Sequence, residues 1–481
     1  MTTTQPTGER RVIANVLRGS IGNLVEWYDW YVYAAFSVYF AKSFFPKGDS
    51  TAQLLSTAAV FAVGFLMRPI GGWLLGRYAD KFGRRSALTL SVTVMAAGSL
   101  LIAVTPGYQT IGLLAPTVLL LARLLQGLSV GGEYATSATY LSEVASSGKR
   151  GFYSSFQYVT LVAGQLTALG VQIILQQFLS SAQMNDWGWR IPFAIGAAGA
   201  LIVMWLRRSM DESTQFEEAV SAEADGPDGH LVHSRNDVMS SLGVEAAKPK
   251  AARGSLRLLL QYPRECLLVV GLTLGGTVAF YTYTTYMQKF MINSSHIPKG
   301  TVAWINFMAL LVFVILQPLA GALSDKIGRR KLLIFFGIAG TLATVPIMTV
   351  LKNTQNAIGA WALMMLALVI ITGYTSINAI VKAELFPTKI RALGVGLPYA
   401  LTVAIFGGTA EYVALFLKDR GHESLFFWYV AGCILISLVT YFFMRETSSE
   451  STIEAELDTA TGGVVGAAGP EPERDLTSVR S

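Results

Sequence analysis

One phrase of this sequence occurs twice. Gly71-Gly72-Trp73-Leu74-Leu75-Gly76-Arg77-Tyr78-Ala79-Asp80-Lys81-Phe82-Gly83-Arg84-Arg85 returns in altered form as Gly321-Ala322-Leu323-Ser324-Asp325-Lys326-Ile327-Gly328-Arg329-Arg330. Each copy is a glycine-bearing apolar run that ends in an Asp and then a basic cluster. A second echo agrees with the first, because Glu143 stands seven residues before Arg150 as Glu384 stands seven before Arg391. The offsets between copies are 245 residues for Asp80 and Asp325 and 241 for Glu143 and Glu384. Two parallel repeats related by an axis along a membrane normal account for this register. They would enclose a midplane site that each side of the membrane reaches in turn.

The membrane follows from composition. Of 481 residues, 52% are hydrophobic and 14% charged, more apolar surface than a soluble fold can hide. A spanning helix needs about twenty apolar residues. Twelve such stretches run through 14–41, 52–76, 86–105, 112–141, 152–178, 189–207, 264–290, 301–322, 331–351, 357–382, 393–417 and 424–444. Arg10, Arg11, Lys81, Arg84, Arg85, Lys149, Arg150, Lys326, Arg329, Arg330, Lys331, Lys389 and Arg391 fall on one side of these stretches, which makes that side cytoplasmic. The expected fold is therefore an all-α membrane protein of twelve transmembrane helices in two pseudo-symmetric six-helix halves, with both termini cytoplasmic. The net charge of +6 reports this topology, and basic residues that hug helix ends exclude a nucleic-acid surface.

The halves are expected at residues 1–208 and 257–445, joined by a polar cytoplasmic linker at 209–256. An acidic tail follows at 446–481, read as a short helix and then disorder. The two cysteines, Cys266 and Cys433, lie in apolar stretches and suggest no disulfide. His230 with His233 in the linker suggests no metal site, and no metal or cofactor is expected. The first apolar stretch contains Glu26 and Asp29, unlike a cleavable signal, and should remain as the first helix.

Charges inside spans mark the candidate site, since each costs on the order of 3 kcal/mol at the bilayer centre unless it is paired or faces water. Glu26, Asp29, Arg68, Arg123 and Glu133 stand out and should face inward. Glu26 and Asp29, three residues apart, can line one cavity with Tyr28, Tyr31 and Tyr33. Polar residues recur at helical spacing as Arg123, Gln126, Glu133, Ser137 and Tyr140, as Gln157, Gln165 and Gln172, and as Tyr281, Thr285 and Gln288. Asp29 or Glu26 paired with Arg123 stays ionised until an anionic substrate takes the arginine, and then it recruits a proton. A static pair holding two helices in register is the alternative. Glu133 suits either the proton path or a structural pairing. Arg68 suits a carboxylate ligand or a buried structural role, and Lys289 a second cationic contact or a side chain that snorkels outward. Asp80 and Asp325 can each meet the N-terminus of a neighbouring helix while Arg84 or Arg85 pairs with an acid such as Glu143. Together with Arg150, Arg329, Glu384 and Arg391 they would form a cytoplasmic gate.

Around these residues the chain resembles the major facilitator superfamily, whose signature loop the Gly72–Arg85 phrase matches. More narrowly it is similar to the metabolite:proton symporter family. The motifs are Gly22-Asn23-Leu24-Val25-Glu26-Trp27-Tyr28-Asp29, Leu66-Met67-Arg68-Pro69-Ile70-Gly71-Gly72, Ala122-Arg123-Leu124-Leu125-Gln126-Gly127 with Gly131-Gly132-Glu133-Tyr134, and Trp189-Arg190-Ile191-Pro192-Phe193. A closer likeness within that family covers 151–160, 281–289, 382–387 and 406–412. The resemblance implies a twelve-helix fold, alternating access and proton-driven uptake across a bacterial inner membrane. It makes Arg68, Arg123, Asp29 and Glu26 part of the family-wide pattern and Lys289 and Gln157 part of the narrower one. The cargo it implies is a C5 dicarboxylate, foremost 2-oxoglutarate, with citrate, shikimate, proline or betaine as alternatives. The linker and tail are longer than the family pattern, which bears on regulation. The expected partners are this small-molecule dicarboxylate, protons and the lipid bilayer, and the chain should act as a monomer. A non-transporting metabolite sensor is the rival from another class. An enzyme is disfavoured, because no nucleophile with its base, metal ligand set or phosphate-cradling loop is present.

Overall fold

The computed structural model describes residues 8–46, 48, 50–82, 84–131, 148–208, 259–387 and 390–448. Every regular element among them is a helix. The first half holds α1 (Gly8–Phe44), α2 (Ser50–Phe82), α3 (Arg84–Val104), α4 (Leu114–Val130), α5 (Arg150–Phe178) and α6 (Arg190–Arg208). The second holds α7 (Pro263–Asn293), α8 (Lys299–Ile327), α9 (Arg329–Lys352), α10 (Ala357–Glu384), α11 (Arg391–Thr402, continued through Val403–Gly407 and Ala410–Asp419) and α12 (Glu423–Phe443). Eight described helices are long and apolar enough to cross a membrane, or up to nine if Ser181–Gly188 and Arg190–Met204, bent by 48°, count as one span.

The distribution of side chains is that of a protein dissolved in lipid. Leu342 is 71% exposed and Phe443 77% exposed, with Leu100, Leu121, Leu319 and Trp428 also outward. Asp29, Arg123, Gln126, Gln172, Asn306 and Lys382 are fully buried. Hydrocarbon around the bundle solvates the first set and cannot solvate the second. It also leaves every backbone amide to be satisfied internally, which helices do.

The sequence repeat is visible in the packing. In the first half α3 lies against α6, α2 against α4 and α1 against α5. In the second, α9 lies against α12, α8 against α10 and α7 against α11, the equivalent pairs. The halves meet along α5 with α8 and α2 with α11. Glycine sets the closest of these approaches. A Cβ on Gly127 would overlap the carbonyl of Gly64, and one on Gly131 the carbonyl of Arg68. This small-residue seam lets α2 and α4 touch backbone to backbone and brings Arg68 and Arg123 onto adjacent helices. Two other helices are widened by a single π turn, at Thr282–Tyr286 in α7 and Val403–Gly407 in α11. Such turns carry an extra residue within the helix and occur frequently at functional sites.

At one end of the bundle α8 stops at Gly328, whose φ of 97° is a left-handed-region value that a residue with a Cβ avoids. Glu446, just beyond α12, accepts hydrogen bonds there from the amides of Arg329 at 2.8 Å and Arg330 at 3.0 Å, and from the Ser448 hydroxyl at 2.8 Å. It thereby caps first-turn amides of α9 that have no partner within the helix. Burial pushes the Glu446 carboxyl up, but Ser448 and the two amides outweigh burial and hold it below its ordinary range. A carboxylate so depressed contributes stability above its unfolded pKa, and the contribution is lost as pH falls through the lower folded value. Glu446→Gln should lower stability at neutral pH by about 0.3–1 kcal/mol, the scale of a charge at a helix N-terminus. Thermal unfolding of detergent-solubilised protein checks this. The gap between variant and parent should close at acid pH, and a gap independent of pH would refute the capping role. The tail thus begins docked at Glu446 to Ser448, while residues from 449 onward and the linker at 209–256 lie outside the described residues.

Candidate functional site

Two arginines share one indole. The guanidinium of Arg68 on α2 lies over the Trp30 ring at 4.2 Å from its centroid, and that of Arg123 on α4 lies over the same ring at 4.0 Å. Phe65 supports Arg68 at 4.0 Å, and Tyr33 supports Arg123 at 4.3 Å. Both arginines are buried. Among the described residues neither has a carboxylate at ion-pair distance, and Nε and Nη2 of each have no hydrogen-bond partner. Ring quadrupoles stabilise such cations by about 2 kcal/mol when they are desolvated, without consuming their N–H donors. The outcome is a buried pocket of positive charge in which Nε and Nη2 of both arginines have no protein partner among the described residues.

Arg68 also reaches the boundary between halves. It shares with Val130, Gly131, Tyr399 and Val403 a cavity of about 20 Å³, room for one water and far less than an organic acid needs. Tyr281 on α7 meets Phe65 edge-on at 5.1 Å and lies within side-chain hydrogen-bonding reach of Arg68.

The acidic residues are placed differently from expectation. Asp29 makes no ion pair with Arg123 among the described residues. Arg123 Nη1 donates to Gln126 Oε1 at 2.7 Å, and Gln126 Nε2 donates to Ser99 Oγ at 2.7 Å and to Asp29 Oδ2 at 3.4 Å. The Ser99 hydroxyl donates to Asp29 Oδ2 as well, while Asp29 Oδ1 has no hydrogen-bond partner. Gln126 lies one turn past Arg123 on α4 and interposes its amide. Glu26 accepts from the hydroxyls of Ser91 and Ser129, each at 3.2 Å. Both carboxylates thus point into the first half, toward α3 and α4, and Asp29 also faces Gly196 of α6 beside the Tyr28 ring. The Tyr28 hydroxyl donates to the Pro192 carbonyl at 2.9 Å and ties α1 to α6.

Across the halves, Gln165 Nε2 donates to the Thr284 carbonyl at 2.6 Å, and Gln288 Nε2 donates to Gln172 Oε1 at 3.3 Å. Gln157 is buried on the same helix as Gln165 and Gln172. Lys289 does not snorkel. It is 2% exposed and ion-paired with Glu411 of α11, since α7 is enclosed at that level and offers no route to the interface. Glu411 and the fully buried Lys382, whose ammonium lies over the Tyr399 ring at 3.7 Å, were passed over in the sequence. The energetic rule that picked out the five charges of the first half applies to them equally.

At the end of the bundle where α8 turns into α9, Asp325 accepts from the amides of Gly151 at 2.8 Å and Phe152 at 3.0 Å, the N-terminus of α5 in the other half. Arg329 donates to Asp325 at 2.7 Å and lies 3.7 Å from Glu384. Arg391 Nε donates to the carbonyls of Ala383 and Phe386, each at 3.1 Å. Arg150 begins α5 and is buried beside this cluster, close enough to Glu384 to act on it electrostatically. At the opposite end Lys299 donates to the Val38 carbonyl at 3.2 Å. The side chains of Asp80, Arg84 and Arg85, and all of Glu133 and Glu143, lie outside the described residues. No cluster able to hold a metal ion occurs among the described residues, and both cysteines are free thiols.

Two like helical halves around a buried cationic seam define a secondary transporter of the major facilitator fold. The solved proton:xylose symporter XylE, bound to 6-bromo-6-deoxy-D-glucose, superposes with a TM-score of 0.69 at 18% identity over 94% of this chain and 99% of that one. An inward-open structure of the same transporter from Escherichia coli gives 0.68 at 18% identity, over 93% and 99%. The chain belongs to the sugar (and other) transporter family, whose model matches residues 16–458. Alpha-ketoglutarate permease of Escherichia coli (strain K12) is 52% identical over 430 residues, 89% of this chain and 93% of that protein. Citrate-proton symporter of Klebsiella pneumoniae is 30% identical over 444 residues, 92% and 94% of the two chains. Proline/betaine transporter of Escherichia coli (strain K12) is 29% identical over 436, 90% and 83%. The protein is a multi-pass transporter of the bacterial inner membrane and not an enzyme.

Proposed function

We propose that this chain is a proton-coupled importer of a C5 dicarboxylate, 2-oxoglutarate, working by alternating access as a monomer with twelve spans and both termini cytoplasmic. The observation that carries the reading is the pair of arginines on Trp30. Two buried guanidinium groups without carboxylate partners among the described residues suit an anion that brings its own carboxylates. The 52% identity to a permease for alpha-ketoglutarate supports the same cargo.

In this reading a substrate carboxylate engages the open Nη2 and Nε of Arg123, which loosens the Arg123–Gln126 bond. Gln126 is then free to turn from Asp29, and the buried carboxylate, losing a donor, takes a proton. Tyr281 and Arg68 hold the substrate from the two halves, Gln157 and Gln288 flank it, and Glu26 with Ser91 and Ser129 offers a further proton position. Glu133 remains a candidate for the same path. The Asp325 cluster, and by the repeat Asp80 with Arg84, Arg85 and Glu143, is the cytoplasmic gate.

Charge sets the coupling. An inside-negative potential opposes entry by about 2.3 kcal/mol per charge per 100 mV, so a divalent anion with a single proton would still be driven outward. Two or more protons are expected. Counterflow in proteoliposomes with a panel of labelled acids tests the reading. Exchange of 2-oxoglutarate in preference to citrate, shikimate, proline and betaine is expected, with accumulation that follows an imposed pH gradient. Uptake indifferent to that gradient would remove proton coupling, and preference for a zwitterion would remove the dicarboxylate.

A further inference from the structure

The Lys289–Glu411 pair sits where a purely structural ion pair is poorly placed. Both side chains are nearly sealed, at 2% and 3% exposure, so each was desolvated to form it. Burying such a pair yields little net stability, and a neutral apolar pair often serves as well. Its partners are incomplete, because Glu411 Oε2 has no hydrogen-bond partner among the described residues. Its two members lie just past the two π turns named above, Lys289 three residues after Tyr286 and Glu411 four after Gly407. Among the described residues, the charged and titratable groups that act on Glu411 are Lys289 and Tyr286 from α7 and Tyr33 from α1. Tyr33 is also the ring that carries Arg123 at 4.3 Å. Tyr33 thus lies against Arg123 of the first half and within electrostatic reach of Glu411 of the second.

We propose that Glu411 is a second proton carrier, released when the distal carboxylate of the substrate takes Lys289 from it. The inference rests on the dicarboxylate reading above. With one carboxylate on the arginines of the first half, the other replaces Glu411 on the Lys289 ammonium. Glu411, stripped of its ion-pair partner, accepts a proton from the external water. Substrate and proton cross together. On the inside the dicarboxylate leaves, Lys289 pairs again with Glu411, and the proton passes to internal water, so no charge is left behind on the protein. A π turn on each helix allows the small axial shifts by which the two side chains part and meet.

The test compares wild type and Glu411→Gln in proteoliposomes, with labelled 2-oxoglutarate for substrate flux and a trapped pH dye for proton flux. The expected variant exchanges substrate in counterflow, carries one proton fewer per substrate, and no longer concentrates it against the potential. An unchanged proton ratio would overturn the assignment. Should the variant fail to exchange, the folded, monodisperse Lys289→Gln/Glu411→Gln double variant decides. Its half-saturation concentration should rise at least tenfold, and recovery of wild-type affinity and ratio would make the pair structural only. Wild-type protein that exchanges no dicarboxylate would instead refute the functional reading itself.

Discussion

Replacing Arg123 by Ala should abolish concentrative uptake while leaving the protein inserted and folded. The guanidinium does three things at once. It stacks on Trp30 at 4.0 Å and Tyr33 at 4.3 Å, donates to Gln126 at 2.7 Å, and keeps Nε and Nη2 without partners. Removing one member of a buried charge–carboxylate contact costs about 2–5 kcal/mol, which is roughly 30- to several-thousand-fold in affinity for the anion. The coupling should fail with the affinity, because Gln126 would lose the donor that holds its carbonyl and no longer register whether substrate is present. Arg123→Lys should rescue poorly. A single ammonium cannot stack on two rings and reach Gln126 with a fixed fork. Size-exclusion behaviour and membrane yield should stay at parental levels, since the arginine makes no ion pair among the described residues whose loss strands a carboxylate. The measurement is labelled 2-oxoglutarate accumulation in energised vesicles beside substrate-binding affinity in detergent. An Ala variant that still concentrates substrate would remove Arg123 from the mechanism.

How far the sequence could be read shows in particular residues. Asp325 was found by its echo of Asp80, since a repeated acid at the end of an apolar run has no topological explanation. Its partners, the amides of Gly151 and Phe152, were anticipated only as some helix N-terminus, because backbone groups belong to no residue type. Arg68 and Arg123 were each legible as costly charges, but nothing in their spacing along the chain joins them. The contact of α2 with α4 through Gly64, Gly127 and Gly131 does, and small residues are common in any span. Trp30 was invisible for a related reason, as one aromatic among several in an apolar stretch until two cations are found on its faces. Complementary charges predict a direct Asp29–Arg123 pair. A glutamine amide, donor on one side and acceptor on the other, stands between them and belongs to the same α4 stripe. The cost of burying a charge applies in full to Glu411 and Lys382, which no stripe of polar residues marks in the sequence. Helix count was the opposite case, since α1 carries Glu26 and Asp29, and the residues that matter to the site weaken the hydropathy that identifies a span.

Asp325→Asn should unlatch the end of the bundle that we propose to be cytoplasmic. The carboxylate receives two amide hydrogen bonds from α5, at 2.8 and 3.0 Å, and a third from Arg329 at 2.7 Å. Hydrogen bonds to a charged group contribute about 1.5–3 kcal/mol each. The two to α5 exist only while the halves touch, whereas the bond to Arg329 lies within the second half and persists in either state. Asn keeps one acceptor oxygen and loses the charge that the helix N-terminus favours. A net loss of about 3 kcal/mol from the closed arrangement moves the balance of closed and open forms by roughly 100-fold. The same seam has little slack, because Gly151 and Gly321 bring α5 and α8 into backbone contact and a Cβ on either would clash. Opening is therefore a parting of whole helices and not a side-chain adjustment. Position 155 reports it, since Ser155 is buried against Gly321 at that seam. In inside-out vesicles with Cys266→Ser and Cys433→Ser as background, a thiol introduced as Ser155→Cys should react with a membrane-impermeant maleimide at least tenfold faster when Asp325→Asn is added. Uptake should fall by a similar factor, because a carrier resting open to one side returns slowly to the other. Equal labelling rates with normal uptake would mean that the Asp325 contacts form and break without governing access.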